Sequence, residues 1–240
     1  MYLASTNKGT VLAHLLVTII VEVKVVLMEQ ESKAVESRRE LKSRNTSWAQ
    51  LLAKKLAGSH ISPNQISVMS VFFAGVSLAA YYASEFTDSR WYLILAAVGI
   101  QMRLICNLMD GMVAIEFNKK SKVGDLYNEI PDRIGDALII IGLGLYLRNT
   151  VYGLTLAWAN IFMATLTAYV RVLGASLGKG HKFIGPMAKQ HRMFLLTVAT
   201  VLETVIPGYP LYIALAIMAI GLIITNARRI TGIAKALEEK

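Results

Sequence analysis

An all-α integral membrane fold is predicted for this chain: a six-transmembrane-helix bundle with an N-terminal amphipathic helix at the membrane interface. Three observations predict it. Of 240 residues, 55% are hydrophobic and only 17% are charged, the profile of a polytopic membrane protein. Six separate apolar stretches each approach the roughly 20 residues that a bilayer-crossing helix needs. Lys and Arg collect in alternate connections, as cytoplasmic loops do. The formal net charge of +9 follows from that bias. The basic residues are scattered between apolar spans, so nucleic acid is not an expected partner. Cys106 is the only cysteine, which excludes an intrachain disulfide and a Cys-based metal site.

The elements follow in chain order. Residues 1–44 form an N-terminal extension. Within it, 11–28 are apolar but carry Glu22 and Lys24. No small-residue cleavage site follows, so a signal peptide fits poorly. The expectation is a peripheral helix, or a native start at Met28. Residues 45–62 form a juxtamembrane helix, with Trp48, Leu51, Leu52 and Leu56 at helical spacing and Lys54 and Lys55 off that stripe. Such a helix suits the membrane surface. Ser62-Pro63-Asn64 ends it, and Asn64 is the expected cap of the next helix. Residues 63–240 form the membrane domain, with spans near 65–84, 92–116, 125–147, 153–176, 187–206 and 210–227. Lys119–Lys122, Lys179–Lys189 and the tail with Arg228, Arg229 and Lys235 are basic. They are therefore expected in the cytoplasm of a protein of the cell inner or plasma membrane.

Segment 107–132 carries Asp110, Glu116, Asp125, Glu129 and Asp132 between apolar stretches. Charges within membrane helices cost roughly 2.5–3.5 kcal/mol each on insertion scales and mark functional sites. On the second span, Arg103, Asn107, Asp110 and Ala114 form one stripe, with Gly111 beside it. On the third, Asp125, Glu129, Asp132 and Asp136 form another, with Asn128 at its edge. Pro131 is expected to loosen that helix locally. The loop between the spans is short, so the two helices are expected as antiparallel neighbours whose polar ends meet. Facing carboxylate and amide oxygens suit a hard divalent cation. A solvated helix end, or ion pairing with Arg103, Lys119, Lys120, Lys122 and Arg133, is the plain alternative. Arg171 lies deep in the fourth span, and Lys189 and Arg192 share a face of the fifth. His181, Lys182 and Gly185 are expected in a loop that closes over the site.

The segment resembles the signature of the CDP-alcohol phosphotransferase family, integral-membrane phospholipid synthases. That signature runs D-x2-D-G-x2-A-R-x8-G-x3-D-x3-D. Its positions fall here on Asn107, Asp110, Gly111, Ala114, Ile115, Gly124, Asn128 and Asp132, with every spacing kept and Asn107, Ile115 and Asn128 as departures. The resemblance extends from about Trp48 to the C-terminus. It implies a phospholipid-synthesis transferase acting on CDP-diacylglycerol or another CDP-alcohol, with an acceptor alcohol and release of CMP. It also implies Mg²⁺ or Mn²⁺, one or two ions, and a homodimer as a common family state.

Carried over, Asp110 is a metal ligand, Asn107 and Asn128 are candidate ligands, and Asp132 is the catalytic base. Glu129 and Asp125 are candidates for restoring the charge that the two Asn residues remove. Gly111, Ala114 and Gly124 fall on the nucleotide-binding positions. Arg171, Lys189 and Arg192 are candidates for the phosphate of donor or acceptor. Two other functions fit less well. One is a catalytically weakened CDP-lipid-binding or scaffold relative, motivated by the Asn substitutions. The other is a cation or metabolite transporter, which lacks an evident internal repeat.

Overall fold

In the computed structural model, the structure describes residues 44, 46–87, 89–179 and 184–239. The expectations for 11–28 and Met28, and those for His181 and Lys182, lie outside the described residues. The described residues form seven α-helices: α1 Ser47–Ala57, α2 Pro63–Ser84, α3 Trp91–Glu116, α4 Gly124–Tyr146, α5 Gly153–Ser176, α6 Lys189–Val205 and α7 Pro210–Glu238.

Four of them, α2, α3, α5 and α7, are long and apolar enough to cross a membrane. The two other expected spans are helices, but each carries too much charge or is too short to meet that test unaided. Helix α4 contains Asp125, Glu129, Asp132, Arg133 and Asp136. Helix α6 has 17 residues and includes Lys189, Arg192 and Glu203. Helix α7 continues to Glu238, well beyond the expected end near 227.

The start of α2 differs from expectation. Ser62, not Asn64, is the cap, and it forms a capping box with Gln65. The Gln65 amide donates to Ser62 Oγ (3.3 Å) and the Ser62 amide donates to Gln65 Oε1 (2.8 Å). Pro63 occupies the first helical position, where its missing N–H costs nothing. Asn64 instead donates to Ser121 Oγ (3.1 Å), which ties this helix start to the α3–α4 loop. Lys119 of the same loop donates to the Ala57 carbonyl at the end of α1 (2.6 Å).

Helix α2 is the common partner of α3 and α4, which touch each other only lightly. The two helices meet as expected through their polar residues, Arg103 and Asn107 reaching Asp136 and Asp132, while the close packing of each is on α2. Two glycines permit the close packing: a Cβ at Gly99 of α3 would lie 2.9 Å from the Phe73 carbonyl oxygen, and one at Gly142 of α4 would lie 2.6 Å from Leu78 Cα. Helix α4 runs unbroken through Pro131. Helices α5 and α7 pair, with Asn160 donating to the Leu215 carbonyl (3.0 Å) and Asn226 to the Met163 carbonyl (3.1 Å).

The main core joins Tyr81, Ile100, Ile139, Leu143, Leu196 and Leu215, from α2, α3, α4, α6 and α7. Far from the acidic segment, buried Glu203 accepts from the amides of Gly208 (2.5 Å) and Leu211 (3.0 Å) and so caps α7. A second core seats α1, whose Ala49 and Ala53 pack with Ile66, Met109, Met112 and Val113. Its expected apolar stripe is split. Leu52 and Leu56 pack on this core, while Trp48 and Leu51 remain 50% and 72% exposed. Small Ala side chains at one-turn spacing allow α1 to lie close against α3, which turns those two larger residues outward.

Candidate functional site

The polar residues of α3 and α4 converge with the starts of α2 and α6 around a cavity of about 370 Å³. All the residues nominated from the sequence line it: Asn107, Asp110, Gly111 and Ala114 from α3, Gly124, Asp125, Asn128, Glu129 and Asp132 from α4, Arg171 from α5, and Lys189 and Arg192 from α6.

Asp110 is buried, and its Oδ2 accepts from Ser67 Oγ of α2 at 2.5 Å. It makes no ion pair among the described residues. Asp132 lies across from it, also buried, in a cationic setting. Its Oδ1 accepts from Asn107 Nδ2 (2.8 Å) and from the Lys189 ammonium. Arg103 Nη2 lies 3.6 Å from that oxygen and donates to the Asp132 carbonyl (3.1 Å). Arg133 Nη2 lies 3.5 Å from the other carboxylate oxygen, Oδ2.

Beneath Asp132, one turn along α4, Asp136 joins two buried arginines. Arg103 Nη2 donates to its Oδ1 and Arg192 Nη2 to its Oδ2, each at 2.6 Å. Arg192 also donates to the Met187 carbonyl (2.9 Å). This Arg–Asp–Arg arrangement bolts α3, α4 and α6 together directly behind the cavity. Burial of one carboxylate with two guanidiniums is tolerable only because the charges are paired. Arg192 thus has a structural partner in addition to its place on the cavity wall.

The remaining acidic residues have partners of their own. Glu129 accepts from Arg171 (2.5 Å), with Arg133 at 4.0 Å. Asp125 is exposed and lies 3.7 Å from Lys120. Asn128 is exposed on the cavity rim. Among the described residues no three His, Cys, Asp or Glu side chains converge as a metal site would require. The donors around the cavity are nevertheless all hard oxygens, from Asp110, Asp132 and the two Asn amides, a type that suits Mg²⁺ or Mn²⁺. They fit such an ion in chemistry, with fewer anionic ligands than an all-Asp set.

Some residues at the site carried no role in the sequence reading. Ser67 was hidden in an apolar helix, though Ser67, Ser70, Ala74 and Ser77 form a buried small-residue row at helical spacing. Arg103 was an ion-pair candidate with no particular carboxylate, and Asp136 lay on its stripe without a role. Arg44 and Arg229, distant in sequence, line the same cavity.

Comparisons with known proteins bear on this site. The family model for CDP-alcohol phosphatidyltransferase matches residues 60–234. An archaetidylinositol phosphate synthase of Pyrococcus horikoshii is 25% identical over 158 residues, covering 64% of this chain and 77% of that protein. A phosphatidylinositol phosphate synthase of Cutibacterium acnes is 24% identical over 206 residues, covering 80% and 96%. Among solved structures, the phosphatidylinositol phosphate synthase of Mycobacterium tuberculosis with CDP-DAG bound has a TM-score of 0.67 at 14% identity, covering 78% of this chain and 94% of that one. The same enzyme in complex with manganese and citrate gives 0.66 at 14% identity, covering 77% and 88%. At that identity the likeness establishes the fold.

Proposed function

The chain belongs to the CDP-alcohol phosphatidyltransferase family and is a membrane-bound CDP-alcohol phosphotransferase, and from that premise we propose that it transfers the phosphatidyl group of CDP-diacylglycerol to an acceptor alcohol, releasing CMP. The observation that carries this reading is the meeting of Asp110 and Asp132, from two helices, in one cavity that Arg171 and Lys189 also line. The C. acnes and P. horikoshii relatives are named as inositol phosphate lipid synthases. With the basic cavity wall, they favour a phosphorylated polyol as acceptor.

In the reaction, the acceptor hydroxyl oxygen forms a bond to the lipid-bearing phosphorus. The bond from that phosphorus to the bridging diphosphate oxygen breaks, and CMP leaves with the electron pair. The hydroxyl proton passes to Asp132. Oδ1 of Asp132 is already hydrogen-bonded by Asn107 and Lys189, so Oδ2, with Arg133 at 3.5 Å, is the oxygen that takes the proton. Lys189 and Asn107 fix the carboxylate's orientation, and Asp136 fixes Arg103 behind it. Asp110, with the amide oxygens of Asn107 and Asn128, would hold the divalent cation. When bound it supplies charge neutralisation to the diphosphate. Among the described residues Asp110 is the one candidate carboxylate of the cavity that pairs with no protein cation, which fits one ion better than two. Glu129 and Asp125, engaged by Arg171 and Lys120, serve the cavity wall. Gly111, Ala114 and Gly124 offer the low surface against which the nucleotide lies.

We also assign α4 and α6 as spans, which makes six. Their charges line the cavity or are paired in the interior, while Ile130 and Ile134 of α4 and Phe194, Val201 and Val205 of α6 are exposed apolar residues suited to lipid. The Lys-rich α3–α4 loop supports a cytoplasmic cavity mouth.

Purified protein supplied with CDP-diacylglycerol, Mg²⁺ or Mn²⁺ and a panel of acceptors (inositol phosphate, glycerol phosphate, inositol, glycerol) is expected to release CMP with a phosphorylated acceptor. Absence of metal-dependent CMP release with every acceptor would sink the reading.

A further inference from the structure

Arg44 lies ahead of α1 and lines the cavity beside the Gly111–Ile115 face of α3. Those two residues are four apart and so share a helix face. A Cβ built at Gly111 would lie 3.7 Å from Arg44 Nη2, and among the described residues no other neighbour outside that turn of helix comes within 4 Å. Arg44 Nε is buried without a hydrogen-bond partner, and no carboxylate pairs with this guanidinium among the described residues. Arg103, Arg133 and Arg192 also have buried nitrogens without partners, but each of those side chains is anchored on Asp132 or Asp136. Arg44 has no such anchor. A buried donor left unsatisfied requires an acceptor, and a guanidinium fork matches phosphate oxygens. The opposite wall has Lys189 on Asp132 and Arg171 on Glu129, Lys120 lies near Asp125, and Arg229 donates to the Ile184 and Thr167 carbonyls, so among the described residues Arg44 is the lining cation still open to an incoming anion.

We propose that Arg44 is a diphosphate-binding residue. Its guanidinium takes phosphate oxygens of the nucleotide-lipid donor and supplies, from the segment before α1, the cation that Ile115 does not provide on α3. In the signature that this chain resembles, position 115 is an arginine. Both positions open on the same cavity, so a charge lost from the helix is replaced across the gap. The proposal rests on the CDP-alcohol reading above. The same fork would suit a headgroup phosphate of the surrounding bilayer, so the test separates the two sources.

The full chain, reconstituted in nanodiscs of phosphatidylcholine alone or with phosphatidylglycerol, is titrated with CDP-diacylglycerol. Arg44→Gln is expected to weaken binding about tenfold in both nanodisc types, equivalent to one lost charged contact. Adding Ile115→Arg to Arg44→Gln is expected to recover most of that affinity. Unchanged affinity in Arg44→Gln overturns the proposal, as does a loss confined to the phosphatidylglycerol nanodiscs. A loss that Ile115→Arg does not recover overturns the substitution of one position for the other. If Arg44→Gln does not fold, Arg44→Lys keeps the charge without the fork, and unchanged binding by that variant overturns the proposal equally. Failure of the wild-type protein to bind CDP-diacylglycerol instead brings down the donor assignment itself.

Discussion

Asp132 is the residue on which most of the chemistry converges, and its surroundings set what its variants should do. Asn107 and Lys189 hold one carboxylate oxygen, and Arg133 lies 3.5 Å from the other. Asp132→Asn keeps the shape but removes the proton acceptor. It is expected to lower the CMP-release rate by about 10²–10⁴-fold, the contribution of a positioned general base, while CDP-diacylglycerol affinity stays within a few-fold. A rate within twofold of wild type would remove Asp132 from that role. Lys189→Met should act differently, since the carboxylate remains but loses an orienting partner and the cavity loses a cation. Rate and acceptor KM should both worsen, read from acceptor titrations. Asn107→Asp places a second carboxylate within hydrogen-bonding distance of Asp132, an arrangement that a bound metal cation or a shared proton relieves. It is expected to raise Mn²⁺ affinity in direct metal titration, and a metal affinity unchanged from wild type would argue that Asn107 is not a ligand. The candidate residues themselves were legible in the sequence, because spacing on a helix determines which side chains share a face. Their partners were not. Ser67, Arg44 and the Lys189–Asp132 contact join residues far apart in the chain, and no local pattern encodes them.

At the scale of elements, the Arg103–Asp136–Arg192 arrangement and the two close-approach glycines determine how the site is assembled. Asp136 serves α3 and α6 at once, and all three side chains are buried. Asp136→Ala would leave two buried guanidiniums without their carboxylate. Breaking a buried pair this way costs about 3–5 kcal/mol. A lower thermal midpoint in detergent is expected, together with lost turnover, because Arg103 also donates to the Asp132 carbonyl. An unchanged midpoint would show that the network is not structural. Gly142→Val should be comparably harmful for a different reason, since its Cβ would fall 2.6 Å from Leu78 Cα on α2. Helix boundaries were largely readable, because hydropathy and turn residues act locally. Asn64 as a cap was a misreading of a Ser-Pro pair that satisfies the helix start better. The place of α2 between much of α3 and α4 was not foreseen. A short loop keeps two helices near one another but does not decide which third helix takes their shared groove, and α2, with its small buried serines and alanines, takes it.

For the whole molecule, composition established the membrane class, but the number of spans depends on how charge is arranged in three dimensions. A linear window over α4 or α6 counts every charge as if it faced lipid. In the folded bundle those charges line the cavity, sit in the buried network or, for Glu203, cap α7, while the exposed sides carry Ile134, Phe194 and Val205. A helix of this kind crosses a membrane only as part of a bundle, so four spans are evident from length and apolarity, while α4 and α6 as spans belong to the proposal. The proposed six-span arrangement makes a sharp prediction about sidedness. Asp125 and Lys120 should share one side of the membrane, and Asn149 and Gly208 the other, because each pair is separated by an odd number of spans from the other. Cys106 is the only native cysteine and is buried, so Cys106→Ser gives a background for single cysteines at these four exposed or loop positions. In oriented vesicles, an impermeant maleimide applied from the cytoplasmic side should label cysteines at 120 and 125 and spare those at 149 and 208. With α4 or α6 lying outside the bilayer the pattern changes in a specific way: cysteines at 120 and 149 label together if α4 does not cross, and the cysteine at 208 labels with those at the cavity mouth if α6 does not.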